Sequence, residues 1–581
     1  MGYKILWLIL VVLLDKNKLF KEDLMIKSMT KLMLAGLALL AVMMVILPYV
    51  GCDTNAGGRT ISSGEVGGNI DKPGDIGEGG DVPPDDPNGD EENNNTDGDS
   101  VNTVNKAESI TVTIMGVDNK EVSVTLEDSD SDGSYEISTA DKLYAFAAAV
   151  NGGKTTINGE LTANIVVNEK VLDEEGKLSS SSSNFRLWTP IGTKDYKYTG
   201  IFDGADYTIS GLYFNDTNAN YVGLFGYIGD GYSTDSTREV TVQNLGVLDS
   251  YFYGYRYVGG VVGYGDGEVK VTNCYNTGAV SGTYTVGGVV GWGDASDCYN
   301  TGAVSGTGSS VGGVVGWGDA SNCNNKGTIN GKEEVGGVVG KGDASNCYNT
   351  GVVSSTDTAS ASSYDNHSYA GGVVGKGSAS DCHNTGAVSG TGDYVGGVVG
   401  DGHASQCYNT GTISGRVYVG GVVGYRGSAN RCYNTGVVNG TGYVGGVVGS
   451  CFNTGVRDCY NTGAVSGTGS SVGGVVGYVY TSVITDCYNT GVVNGTDYVG
   501  GVVGRSDLDF ETEIYSCYYL VGTAEGGING KDSEGDYDTT YPINASDFAS
   551  ENMADRLNSI GEDWEYISGE PAPTLKVFNK G

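Results

Sequence analysis

The chain has 581 residues, of which 98 are glycine and only 9 proline. Glycine does not recur strictly at every third position, which excludes a collagen triple helix. Lys and Arg number 33 against 70 Asp and Glu, a net charge of −37, which speaks against a nucleic-acid binder, and 3 histidines argue against histidine-based zinc chemistry.

Two apolar stretches open the chain. Ile5–Leu14 is too short to span a bilayer. Met25 begins a second pattern, in which Lys27 and Lys31 lead into the apolar Leu32–Val50 and then Gly51-Cys52. It resembles a bacterial lipoprotein signal, with a small residue before the cysteine that becomes lipidated. Tyr49 departs from the usual Leu. The other reading is an uncleaved signal anchor, since the apolar run is just long enough to span. On the first reading, residues 1–24 are an upstream artefact and 25–51 a signal peptide. Cys52 then carries the lipid, the membrane is a partner through that anchor, and the protein stands on the bacterial cell surface.

Residues 52–105 are expected to form a disordered acidic linker. Within them Asp53–Ser100 holds 13 acidic and 2 basic residues and no aromatic. Such a segment cannot bury enough apolar surface to order itself, and its self-repulsion extends it as a tether. Residues 106–153 read as an N-terminal cap. Ile110–Ile114 and Val122–Leu126 alternate as strands, and Ser138-Thr139 caps a helix over Ala140–Val150 that ends at Gly152-Gly153.

Residues 154–250 read as the first coils of the array that fills 251–520. There the string V-G-G-V-V-G begins at Val258, Val286, Val311, Val335, Val395, Val419, Val444, Val472 and Val499, with a variant at Ala370. The steps are 24 to 28 residues, apart from one of 35. Most repeats run on into C-Y-N-T-G. Helical repeats need Ala, Leu, Glu and Lys at 3.6 spacing, leucine-rich repeats need leucine, and propeller blades need about 40 residues. What remains is three short strands per turn, separated by Gly, Asn, Thr, Ser and Asp. The fold class is therefore all-β: a parallel β-helix (β-solenoid), right-handed by the general preference of parallel crossovers, with small α/β caps at each end. Coils stack at about 4.8 Å, so ten to fourteen of them make a rod of roughly 50–70 Å. Residues 521–581 read as the C-terminal cap, with a helix over Asp547–Leu557 and a strand over Thr574–Phe578.

These strings resemble the GLUG motif of bacterial surface proteins, including some IgA-cleaving peptidases and filamentous-haemagglutinin-like adhesins. The lead-in Tyr198-Thr199-Gly200-Ile201-Phe202-Asp203-Gly204 and the later Cys517-Tyr518-Tyr519 share it. The resemblance implies a surface repeat protein. The peptidases that carry the motif use H-E-x-x-H, and His367, His383 and His403 do not have that spacing.

In a solenoid, equivalent positions stack into rows. Ten cysteines, Cys274 through Cys517, share one phase; neighbouring positions fall inside the disulfide window, yet their parallel side chains suit buried free thiols better. Cys451 stands outside the row and reads as a loop thiol. If Cys points in, the next residue points out. That row is Tyr275, Tyr299, Asn324, Tyr348, His383, Tyr408, Tyr433, Tyr460, Tyr488 and Tyr518. Its tyrosines, with Tyr364 and Tyr369 of the insertion over roughly Ser354–Tyr369 behind the 35-residue step, are the candidate ligand-binding residues, for a glycan or a host protein. The alternative is a ladder that merely stiffens the sheet. A row of asparagines, Asn276 to Asn489, reads as structural. Asp294, Asp319 and Asp343 align in G-D-A-S. Turn chemistry explains them; Ca²⁺ ligation and a glycosidase-like acid pair are the alternatives. The expected function is a non-catalytic adhesin or ligand-display protein without a cofactor. A polysaccharide-active enzyme and a plain surface spacer are the competing readings.

Overall fold

The computed structural model describes residues 106–116, 120–231, 240–356, 368–507, 512–531, 538–558 and 561–579. The signal-like pattern, Cys52 and the acidic linker lie outside the described residues, as do Tyr364 and His367.

One coil shows how the repeat folds. Tyr284–Gly287 and Val290–Trp292 are strands; Ala295–Ser296 and Tyr299–Asn300 follow as two shorter ones; Val304–Gly306 closes the turn before Ser309–Gly312 opens the next. Each strand pairs in parallel with its equivalent one coil on, Val286 with Val311, Val290 with Val315, Ser296 with Ser321 and Asn300 with Asn325. Repetition builds a β-solenoid of about 14 turns, in which three of the sheets hold 11 strands each. Val286, Val289, Val290, Ala295, Cys298 and Val304 all point inward and are buried. A coil alone would leave this apolar set in water, so stacking creates the core.

Glycine serves two purposes here. At Gly288 a Cβ would lie 2.1 Å from the Gly313 carbonyl oxygen, so the chain passes too close to the next coil for any side chain. Gly293 turns the chain with φ +127, a conformation that side chains rarely adopt. A second bend, at the residue before each cysteine, is left-handed without glycine, as at Asp297, Asn322, Asn346 and Asp381. Asn and Asp tolerate that region best.

The asparagine row lies inside the rod. The Asn276 side-chain amide donates to Asn300 Oδ1 at 2.9 Å, and each asparagine donates to the next as far as Asn489. Each amide also donates to the carbonyl of the glycine two residues on, as Asn349 does to Gly351 at 2.9 Å, and Asn349 Oδ1 accepts the Gly351 N–H at 3.2 Å. Both protons of each interior amide are used, with no water needed. The cysteines form a parallel column of unbridged, buried thiols. Cys298 donates to the Ser296 carbonyl at 3.1 Å and accepts the Cys274 N–H at 3.4 Å. Burial pushes the Cys487 and Cys517 thiols well above their ordinary range. Cys451 is not a loop thiol: it sits in the strand Val448–Phe452 and is buried.

At the N-terminal end, β1 (Ile110–Met115) and β2 (Glu121–Leu126) form an antiparallel hairpin. The helix α1 (Ala140–Asn151) starts at Thr139, whose side chain accepts the Lys142 N–H. Its Phe146 packs against Phe202 of the first coils, ring centroids 5.6 Å apart.

The C-terminal segment does more than cover an end. Asp538–Ile543 adds a parallel strand beside Glu513–Leu520. The expected single helix is two short ones, α2 (Ala545–Phe548) and α3 (Glu551–Leu557), broken where Ser550 Oγ donates to the Asp547 carbonyl. The expected strand Thr574–Phe578 shrinks to Thr574–Leu575, paired with Trp564–Glu565, and ends in a 3₁₀ turn. This segment folds back along the rod and lies on the tyrosine row. Trp564 sits against Tyr460 and Tyr488, and Phe578 against Tyr408 and Tyr433. Tyr488 donates to the Pro573 carbonyl at 2.6 Å, Trp564 Nε1–H to Asp458 Oδ1 at 3.2 Å, and Arg431 pairs with Asp563 at 2.9 Å.

Three outcomes follow from these contacts. Asn349→Ala strands an amide proton of Asn325 and the Gly351 N–H, and is expected to cost about 3 kcal/mol in chemical denaturation with an unchanged circular dichroism spectrum. The column thiols are expected to resist a thiol reagent in the native protein and to react together on unfolding, while a reductant leaves the thermal midpoint unmoved. Burial raises the Asp458 carboxyl to about 6, with Asp563 adding to the rise. An acid whose folded pKa lies above its unfolded one destabilises the folded form when ionised. The docked segment therefore tightens as pH falls through 6 toward the ordinary range near 4. Asp458→Asn keeps an acceptor for Trp564 and is expected to raise the neutral-pH thermal midpoint and flatten the pH dependence between about 4 and 6.

Candidate functional site

The G-D-A-S stretch follows the Gly293-type bend and forms one wall of a groove. Asp and Ser point outward while the alanine between them is buried. Small alanines at 295, 320, 344, 379 and 404 line the floor, and the groove, about 790 Å³, runs from Val269–Thr272 to Ser428 and Asn430. In the next coils Val456 and Ile484 take the alanine's place, with Arg457 and Thr485 beside them, and they do not line it.

The aspartates bind the backbone first. Asp294 Oδ1 accepts the Asp319 N–H at 2.9 Å, Asp319 Oδ1 that of Asp343 at 2.9 Å, and Asp343 Oδ1 that of Ser378 at 2.7 Å. His403 continues the pattern, its Nδ1 accepting the Ser428 N–H at 3.2 Å. Burial raises the Asp319 carboxyl, its bond from Asp343 N–H opposes the rise, and the carboxylates of Asp294 and Asp343 add to it.

The tyrosine row is a continuous stack over most of its length. Tyr275 and Tyr299 lie 4.6 Å apart with planes 5° from parallel. Tyr348, His383, Tyr408, Tyr433, Tyr460 and Tyr488 stack in the same way, with centroids 4.7 to 5.1 Å apart and planes within 8°. Asn324 interrupts the rings once. Ring faces are therefore taken up by neighbours, and only edges and hydroxyls look outward. Tyr275, Tyr299, Tyr348, Tyr408 and Tyr433 are half-buried, whereas Tyr460 and Tyr488 are 8 % and 1 % exposed beneath the C-terminal segment. The last two are thereby withdrawn from any ligand. Tyr369 is not part of a flanking loop. It is a buried strand residue stacked on Tyr394, with centroids 5.2 Å apart, on a different face.

A further stripe escaped the sequence reading. In the early coils the residue directly after the V-G-G-V-V-G string is half-exposed, and it is Tyr264, Trp292 and Trp317, followed by Lys341 and Lys376. Trp292 and Trp317 lie 4.3 Å apart, and Lys341 Nζ caps the open face of Trp317 at 3.7 Å. The signal was one position beyond the repeated string.

The oxygen-rich group able to hold a metal ion among the described residues is elsewhere, in the N-terminal region. Carboxylate oxygens of Asp128, Asp130 and Glu136 lie within 4.8 Å of one another. Asp128 is already engaged, accepting the N–H groups of Ala107, Ser131 and Gly133. No helix among the described residues is long and apolar enough to cross a membrane.

Comparison with known proteins agrees with the repeat anatomy. The family profile "The GLUG motif" matches residues 468–494, a unit containing V-G-G-V-V-G and C-Y-N-T-G. Halomucin of Haloquadratum walsbyi is 38% identical over 95 residues, 16% of this chain and 1% of that protein. A Gly-rich membrane protein of Evansella cellulosilytica is 44% identical over 43 residues, 7% of this chain and 5% of that protein. The chain thus spans only a small share of either relative. A solved Bacteroides ovatus structure, titled as a candidate immunoglobulin A1 protease, aligns over 76% of this chain and 92% of its own, with 15% identity and a TM-score of 0.24. The protein is a β-solenoid, and one of its repeat units, residues 468–494, matches the GLUG motif.

Proposed function

We propose that the chain is a non-catalytic, lipid-anchored bacterial surface protein whose rod displays a groove for an extended polar polymer, a glycan chain. The observation that carries this reading is the groove over the G-D-A-S coils, in which a carboxylate or hydroxyl recurs at every coil. Backbone bonding holds each aspartate in one orientation and leaves its second oxygen for a hydroxyl-rich ligand. The relative named as a Gly-rich membrane protein, the lipoprotein-like front end and the acidic stretch after it support the location. The non-catalytic reading rests on the even spacing of like groups along the rod, which suits repeated contacts rather than one reacting centre.

A second reading, a polysaccharide-active enzyme, draws on the row of carboxyls at Asp294, Asp319 and Asp343, among which burial raises Asp319, since paired carboxyls can divide acid and base roles.

A glycan array with the full chain tests both. Saturable binding, weakened about tenfold by Asp319→Asn with Asp343→Asn, supports the display reading, because asparagine keeps the backbone acceptor and removes only the charge. Chain cleavage lost in the same variant favours the enzyme. Absence of binding and cleavage, with an intact circular dichroism spectrum, leaves a spacer.

A further inference from the structure

The protein itself shows what packs on its tyrosine ladder. On the half nearest the C-terminus, the occupant is a polypeptide segment with aromatic side chains. Phe578 meets Tyr408 and Tyr433 at 86° and 83°, edge against face, and Trp564 straddles Tyr460 and Tyr488 at 5.8 and 5.4 Å. One aromatic group thus serves each two coils, a spacing of about 10 Å. The same ladder continues without this cover through Tyr275, Tyr299, Tyr348 and His383, all half-exposed.

Asp563 of the C-terminal segment pairs with Arg431. Arg431 occupies the left-handed position before the cysteine; the other covered coils carry Gln406, Asp458 and Asp486 there, and the uncovered coils Asp297, Asn322, Asn346 and Asp381, with no cation among them. An acidic segment finds its cation at one coil only. Further up the ladder the complementary charge is positive.

From this continuity we infer that the uncovered ladder from Tyr275 to His383 is a docking strip for a polypeptide of another protein. That partner presents aromatic side chains about 10 Å apart, with Lys or Arg beside them. Except at Asn324, the ring faces are stacked on each other, and what looks outward is hydroxyls and ring C–H edges, whose positive rims favour the face of a partner ring. A sugar, which packs on an aromatic face, finds the stacked faces taken. Seven residues of helix, about 10.5 Å, match two coils, about 9.6 Å, so an amphipathic helix with aromatics seven residues apart fits the strip.

The probe is a labelled helical peptide with two tryptophans two turns apart and lysines flanking them, titrated into the full chain by fluorescence anisotropy. Saturable binding is expected, weakened about tenfold or more by Tyr299→Ala with Tyr348→Ala, and equally by replacing both tryptophans of the peptide with alanine. Exchanging the lysines for glutamate should also weaken it, and Asp319→Asn with Asp343→Asn should not. Photo-crosslinking from a tryptophan position should label the Tyr299–His383 coils, which tests the placement even if the tyrosine variant loses stability. No saturable binding, binding that survives the tyrosine variant, crosslinks elsewhere, or displacement by a glycan would each overturn the proposal. A failed glycan array would leave it standing, because that reading concerns the groove.

Discussion

Register between coils is the constraint on which everything else depends. The buried asparagine ladder supplies it. An amide that donates to the next amide at 2.8 to 2.9 Å cannot tolerate a one-residue slip, because a slip would bring the neighbouring Tyr or Thr, which faces the other way, opposite it and strand a buried donor. Valine packing stabilises the rod without choosing its register, since one valine resembles another. The amides choose it, as a buried polar residue fixes register in other repetitive assemblies.

Once register is set, every outward position becomes a row, and the physics of rows governs what the surface can do. Like side chains one coil apart meet each other before they meet a ligand. The aspartates engage the next coil's backbone and keep one oxygen each. The tyrosines occupy each other's faces and keep their edges. The groove and the ladder therefore present different chemistry on one scaffold: carboxylates and hydroxyls over a shallow floor, and aromatic rims on the sheet beside it. An insertion between Ser355 and Ser368 leaves the pairing of Val353 with Val388 and Ala370 with Val395 intact, so the array absorbs extra length at its flank without losing phase.

Much of this was legible in the sequence, because a repeat states its own geometry. The 24-to-28-residue step and the C-Y-N-T-G string place Cys inward and the next residue outward, as Cys298 and Tyr299 lie. Three features were not legible. The C-terminal segment lies on Tyr460 and Tyr488 through contacts that span roughly a hundred residues of chain, and no local pattern announces them. Tyr369 reads as the end of an insertion, yet pairing with Tyr394 makes it a strand residue. The groove depends on how sharply the chain bends at Gly293 and its equivalents, and glycine composition alone does not set that angle. The Trp292–Trp317 stripe could have been found, since it needed only the next letter of the repeat.

The central claim is that buried, in-register amides hold the coils as one cooperative stack. Hydrogen–deuterium exchange of the full chain, followed by mass spectrometry, tests it most directly at the C-Y-N-T-G segments. The account predicts that these segments, from Cys298 to Cys487, exchange equally slowly and lose protection together as denaturant rises. Fast exchange in central coils, or protection lost one coil at a time, would contradict it.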